Sequence, residues 1–306
     1  MSTRTTTVQR LTGALGAEIR GVDLATIDDT QFAELHALWL EHLVLFFPEQ
    51  DLQPDAHVAF ARRFGEPEIH PYSPKLDAEH PEIMVLDTVK TERLHTDVTF
   101  SPTPPMASIL HMVHTPPVGG DTVWVNQYLA LDTLSPAMQE MLRGLTARHT
   151  AAAAGHPEVV ADHPVVRIHP ETDREALYVN SGFTSHILEL TSGESEALLN
   201  HLFDWSAQLR FQCRYRWAEG TVAIWDNRCT QHSGVVDYSE RRVLQRITVL
   251  DGVRPTGHPA RWEPVAEDLA YGGIGTGRAF NGRPTPTDER TNSIATDATP
   301  LASSVP

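Results

Sequence analysis

Cysteine is scarce in this 306-residue chain: Cys213 and Cys229 are its only two, and no Cys-x-x-Cys pair occurs. That excludes a disulfide scaffold or a zinc ribbon and predicts a reducing, cytoplasmic setting. Long apolar runs are missing as well. None approaches the roughly 18 to 20 residues that cross a bilayer. Residues 1–10 are polar and rich in threonine, so no export signal is expected there. Basic charge is in short supply, 24 Lys and Arg against 40 Asp and Glu, which leaves a net charge of −16. Such a surface repels phosphate backbones and anionic membranes at long range, so neither nucleic acid nor a membrane is an expected partner. No internal repeat points to a solenoid or propeller, and no G-x-S-x-G elbow points to a serine hydrolase. What the chain has in excess is histidine, 16 residues, the side chain most used to bind metals and move protons near neutral pH.

The length suits one large β-rich domain, expected over residues 1–280. Residues 281–306, rich in Thr, Ser, Pro and Asp, are expected to be a disordered tail. Apolar spacing predicts helices over 31–43 and 54–64. Ser135-Pro136 predicts a third helix start, and Thr191 with Glu194 forms a capping box ahead of a fourth. Short β-branched or apolar runs at 43–47, 82–86, 107–113, 122–126, 165–169, 177–180, 211–217, 221–225 and 242–250 predict strands. In the run 211–217, Phe211, Cys213, Tyr215 and Trp217 fall on one face and Gln212, Arg214 and Arg216 on the other. Many short strands with flanking helices predict a mainly β fold, a jelly roll or sandwich with helices packed outside.

His95-Thr96-Asp97 places an imidazole and a carboxylate on the same side of an extended segment. Far along the chain, Trp225-Asp226-Asn227-Arg228 leads to Gln231-His232 at the exit of a predicted strand. Two histidines and one carboxylate on one face of a metal, with open positions opposite, are the set used by non-haem Fe(II) oxygenases. The same three ligands could hold zinc in a hydrolase, and a small-molecule-binding barrel without catalysis is a further reading. In the last strand Arg242 and Arg246 share a face, about 13 Å apart. Two guanidiniums on the face of a strand expect anions. Arg241, of opposite parity, is expected to be exposed.

His95-Thr96-Asp97-Val98-Thr99-Phe100, Gly119-Gly120-Asp121-Thr122, Trp225-Asp226-Asn227-Arg228, Gln231-His232 and Arg241-Arg242 to Arg246 occur in that order. Together they resemble the taurine dioxygenase (TauD/TfdA) family of Fe(II)- and 2-oxoglutarate-dependent oxygenases, over some four fifths of the chain. The resemblance implies a double-stranded β-helix core with His95, Asp97 and His232 as ligands of Fe(II), and Arg242 with Thr122 on the distal carboxylate of 2-oxoglutarate. O2 would be the second co-substrate. It implies further that His70, Arg246, Phe183 and the backbone of Val98 receive a small anionic substrate, a sulfonate in the taurine enzyme. An alkyl sulfate ester, a carboxylate or a secondary-metabolite intermediate are the alternatives, and homo-oligomerisation is left open. Three features depart from the family pattern: a shorter loop before His95, Leu94 where the taurine enzyme has tryptophan, and a shorter lid at 150–162. Tyr72 stands one residue early for the family's pocket tyrosine. The amine side of a taurine pocket is therefore not reproduced, and the shorter lid would suit a bulkier or more exposed substrate.

Other histidines read as structural. His111 and His114 point to opposite faces of one strand, while His149, His156, His163 and His169 are expected to cap turns. Gly272 to Gly277 lacks the spacing of a phosphate loop and is expected to be a flexible loop. Cys213 is expected to be an inert core thiol, and Cys229, near His232, a thiol open to oxidation.

Overall fold

The computed structural model describes residues 6–70, 73–89 and 92–265. The expected tail, the glycine-rich stretch 272–277 and Tyr72 lie outside the described residues.

The alternating segments assemble into two facing sheets. The larger is ordered Thr7–Arg10, Ala17–Arg20, Val44–Phe47, Val222–Asp226, Ala107–His114, Val243–Leu250, Glu66–Pro67, with Met84–Asp87 also paired to Val243–Leu250. The smaller is ordered Gln212–Tyr215, Thr122–Asn126, Thr230–Gly234. Between them Trp124 and Cys213 of the smaller sheet meet Phe46, Trp225 and Leu244 of the larger in one buried cluster. The Trp124 ring stands edge-on to Phe46 at 5.2 Å and to Trp225 at 5.7 Å. This is the jelly roll that the pattern of short strands predicts.

Helices Asp29–His42 and Pro54–Arg62 cover the outer face of the larger sheet, burying Leu35, Trp39, Val58 and Phe60 against Ile109, Ile224 and Ile247. Asp28 and Gln31 close a capping box on the first, and Pro54 opens the second. The expected caps on the later helices are in place: Ser135 opens Pro136–Leu142, and Thr191 with Glu194 opens Ser192–Ser206. No helix among the described residues is long and apolar enough to cross a membrane.

Several strands escape the alternation rule. Thr146–Ala151 and His156–Pro164 pair through a 3-10 turn at Ala152–Ala154, and Thr184–Ile187 adds a third strand. Alanine, histidine and proline give this hairpin little intrinsic β preference; cross-strand partners supply what the residues lack. It occupies the place of the expected lid. The strand expected at 177–180 forms earlier, at Glu175–Leu177, and Asn180 bonds the Thr99 side chain instead. Thr230–Gly234 has no apolar alternation, yet it pairs along its whole length with Thr122–Asn126. His232 therefore sits mid-strand rather than at a strand exit.

Candidate active site

His95 and His232 are joined by the backbone before their rings meet. The His95 N–H donates to the His232 carbonyl at 3.0 Å, and the His232 N–H returns the bond to the His95 carbonyl at 2.8 Å. Thr96 Oγ1 donates to the Thr230 carbonyl at 2.8 Å beside them. This bridge brings the imidazole centroids to 4.2 Å. Asp97 Oδ1 then lies 3.7 Å from His95 Nε2 and 3.8 Å from His232 Nε2, and one ligand atom from each residue falls within 4.8 Å of the others.

Hydrogen bonding sets what these groups present. His95 Nδ1 is 2.8 Å from the Arg93 carbonyl, so it carries the proton and leaves the Nε2 lone pair facing Asp97. Asp97 Oδ2 accepts from Ser108 Oγ at 2.7 Å, and Ser108 accepts from Asn227 Nδ2 at 3.0 Å, whose Oδ1 in turn accepts from Trp225 Nε1 at 3.0 Å. Asp97 Oδ1 accepts from Arg246 Nη1 at 2.9 Å. Burial would raise the Asp97 pKa, but Arg246 and the two imidazoles hold it well below the usual carboxylate range. Burial, then the neighbouring His95, pushes His232 down to about 3. The set is one ionised carboxylate and two imidazoles whose Nε2 atoms face it, and it suits a divalent transition metal. Gly182 makes room for it, since a Cβ there would stand 2.7 Å from His95 Cβ.

Arg242 and Thr122 also meet. Arg242 Nη2 donates to Thr122 Oγ1 at 3.2 Å and Nε to the Gly120 carbonyl at 2.9 Å, while Trp217 Nε1 donates to Thr122 Oγ1 at 2.9 Å. Gly119 and Gly120 have φ of 77° and 74°, and a Cβ on Gly120 would press within 3.1 Å of the Arg242 side chain. Arg242 is buried, and among the described residues no carboxylate forms an ion pair with it. A buried guanidinium in that state fits an anionic ligand.

His70, Val98, Phe183 and Arg246 line one cavity of about 740 Å3 together with His95 and Asp97. Ala151 to Ala154, on the hairpin, wall its apolar side. His232, Thr122 and Arg242 are not among its lining residues. The Phe183 ring stands 5.8 Å from His95 and 5.2 Å from Phe100. His70 is half-buried with Nδ1 3.1 Å from Ser73 Oγ, and burial lowers its pKa, Glu68 opposing and Arg246 adding. Arg241 is exposed and pairs with Asp87 at 2.7 Å, as its parity predicts.

Ser108 and Gly182, which sequence reasoning left out, and His149 and His163, which it read as structural, support this arrangement. Ser108 looks like any small residue in an apolar strand. His149 and His163 are buried beside Thr99: His163 caps the turn there by donating to the Thr99 and Ser101 carbonyls, and His149 meets the Thr99 side chain. His169 caps another, accepting from the Glu171 and Thr172 N–H groups at 3.2 Å. His169, Asp226 and Cys229 form a second group of ligand type. There Asp226 is taken up by Arg228 at 2.7 and 2.8 Å and by His169 at 3.0 Å. Burial raises the Cys229 thiol pKa far above its usual range, which removes the thiolate that oxidation requires.

A jelly roll on which two imidazoles and one carboxylate converge has the architecture of the non-haem dioxygenases. Within that class the chain belongs to the taurine catabolism dioxygenase TauD, TfdA family, whose model matches residues 7–248. It is similar to an alpha-ketoglutarate-dependent sulfate ester dioxygenase of Pseudomonas putida, 36% identical over 82% of this chain and 91% of that protein. An alkylsulfatase of Acinetobacter baylyi is 34% identical over 82% of this chain and 87% of that protein. Among solved structures, a taurine dioxygenase from Burkholderia xenovorans superposes with a TM-score of 0.77 at 37% identity, covering 89% of this chain and 98% of that one. The chain is thus a 2-oxoglutarate-dependent dioxygenase.

Proposed function

We propose that His95, Asp97 and His232 hold Fe(II), that Arg242 and Thr122 hold the distal carboxylate of 2-oxoglutarate, and that the cavity above them takes a small sulfonate or sulfate ester. The convergence of the three ligand atoms within 4.8 Å carries this reading. Iron bound there supplies the redox chemistry of the class, in which O2 and 2-oxoglutarate are consumed, succinate and CO2 are formed and a substrate C–H bond is oxidised.

The residues of this chain orient that chemistry. Arg246, His70 and the Val98 N–H receive the anionic head, and Phe183 with Ala151 to Ala154 encloses the carbon chain. Holding the reacting C–H in place matters because a misplacement of about 1 Å can cost about a hundredfold in rate. The cavity volume of about 740 Å3 lies in the range of sites for drug-sized ligands, about 300 to 1,000 Å3, which favours a substrate longer than taurine.

The decisive assay follows succinate together with the sulfur product. Hydroxylation at the carbon bearing sulfur makes a sulfonate collapse to sulfite and an aldehyde, whereas a sulfate ester oxidised at its O-bearing carbon releases sulfate and an aldehyde. His232→Ala should abolish succinate formation; wild-type turnover in that variant would remove the third ligand. A hydrolase would instead release product without consuming 2-oxoglutarate.

A further inference from the structure

The segment that carries Asp97 is held in a conformation its own residues disfavour. Val98 has φ of 52°, in the left-handed region, where a β-branched side chain is an outlier. Strain of this kind persists only where the surroundings over-determine it. Those surroundings act on the residues that follow. Thr99 is fully buried; its Oγ1 meets His149 Nδ1 at 2.9 Å and accepts from Asn180 Nδ2 at 3.2 Å. The carbonyls of Thr99 and Ser101 both accept from His163 Nε2, at 2.9 and 3.0 Å. The Ser101 N–H closes the turn onto the Val98 carbonyl at 2.9 Å. Both imidazoles are buried and stand on the two strands of the hairpin Thr146–Ala151 and His156–Pro164. Neither lines the substrate cavity. Burial holds both neutral near neutral pH, with His163 pushed down to about 4.

We propose that His149 and His163 are positioning residues: they clamp Thr99 and Ser101 from behind, keep Val98 in its left-handed conformation and thereby fix the Asp97 carboxylate and the Val98 N–H at the cavity floor. The hairpin that walls the cavity is thus also the brace of the metal-ligand segment. The roles of Asp97 and Val98 rest on the function proposed above; the clamp itself does not.

The test uses His163→Leu and Thr99→Val, the second being nearly isosteric and chosen in case the first fails to fold. Each is made alone and with Val98→Gly. Hydrogen exchange over residues 98–101, urea midpoints and Mn(II) affinity are measured on the full chain. In the folded variants exchange at 98–101 should rise by about tenfold or more while the distant strands keep their protection. Mn(II) affinity should fall by about tenfold, as for removal of a group that orients a metal ligand. His163→Gln, which keeps a donor, should retain slow exchange. Because release of the left-handed strain at Val98 offsets part of what the clamp contributed, and glycine has no such strain to release, the drop in urea midpoint caused by His163→Leu or Thr99→Val should be larger in the Val98→Gly background. Wild-type exchange at 98–101 in either folded variant, or equal midpoint losses in both backgrounds, overturns the clamp. Faster exchange with unchanged Mn(II) affinity overturns the positioning of Asp97 by the clamp, whereas an Asp97→Asn protein that binds Mn(II) like the wild type counts instead against Asp97 as a metal ligand.

Discussion

Asp97 illustrates how much one residue is asked to do. One oxygen is held by Ser108 Oγ at 2.7 Å and the other by Arg246 at 2.9 Å, with two imidazoles beside it. Arg246 therefore serves two anions, the carboxylate at its side and the substrate head group proposed for the cavity. Arg246→Ala should raise KM for the anionic substrate by about a hundredfold, since a charge-assisted hydrogen bond contributes about 1.5 to 3 kcal/mol. Steady-state kinetics with saturating 2-oxoglutarate would show it, and an unchanged KM would detach Arg246 from the substrate. Arg242, buried and bonded to Thr122 and the Gly120 carbonyl with the Tyr238 ring beside it, makes the companion case. Arg242→Ala should raise KM for 2-oxoglutarate by a comparable factor, leaving the substrate KM nearly unaltered. Full activity of that variant without 2-oxoglutarate would indicate a hydrolase.

At the scale of elements, the site is made where backbones touch. The strand Val243–Leu250 is internal, paired with Ala107–His114 on one side and with Met84–Asp87 and Glu66–Pro67 on the other. Arg246 is thus anchored between strands rather than solvated on an edge, and Arg242 stands just before the strand begins. A register shift at Val243/Leu244 separates Arg242, which reaches the smaller sheet at Thr122, from Arg246, which reaches Asp97. The turn 180–183 backs the proposed metal ligands in the same way: Gly182 packs closely against the His95 Cβ, and Phe183 stands edge-on to its ring. Gly182→Ala should push His95 away from Asp97 and weaken Mn(II) binding by about tenfold with little change in thermal stability. Calorimetric titration alongside a melting curve would check both, and unaltered metal affinity would mean that the turn yields instead.

At the scale of the whole molecule, buried histidines tie stability to pH. His57, fully enclosed between the helix Pro54–Arg62 and the larger sheet, is pushed down to about 3 by burial and then by His111, whose ring lies 6.2 Å away. A histidine whose folded pKa is depressed lets the unfolded chain bind the proton first, so stability is lost as pH falls below about 6.5. Between pH 7 and pH 5 His57 alone should cost about 2 kcal/mol, at about 1.36 kcal/mol per pH unit below the unfolded pKa. Urea titrations at both pH values should show that slope reduced by a similar amount in His57→Leu. An identical pH dependence in the two proteins would place the titration elsewhere.

The local chemistry was legible along the chain. Capping residues fixed where Pro136–Leu142 and Ser192–Ser206 begin, the alternation of Phe211 to Trp217 set its buried face, and the motifs around His95, Asp97, His232 and Arg242 carried the reaction class, because each depends on neighbours in sequence. The strand through His232, the brace of His149 and His163 behind Thr99, and the grip of Arg246 on Asp97 were not. Their partners come from the far side of the fold, as where Thr96 bonds Thr230 across 134 positions. Such contacts exist only once the two sheets have closed, and burial, the force that closes them, writes a period within each element but does not specify which distant element will face it.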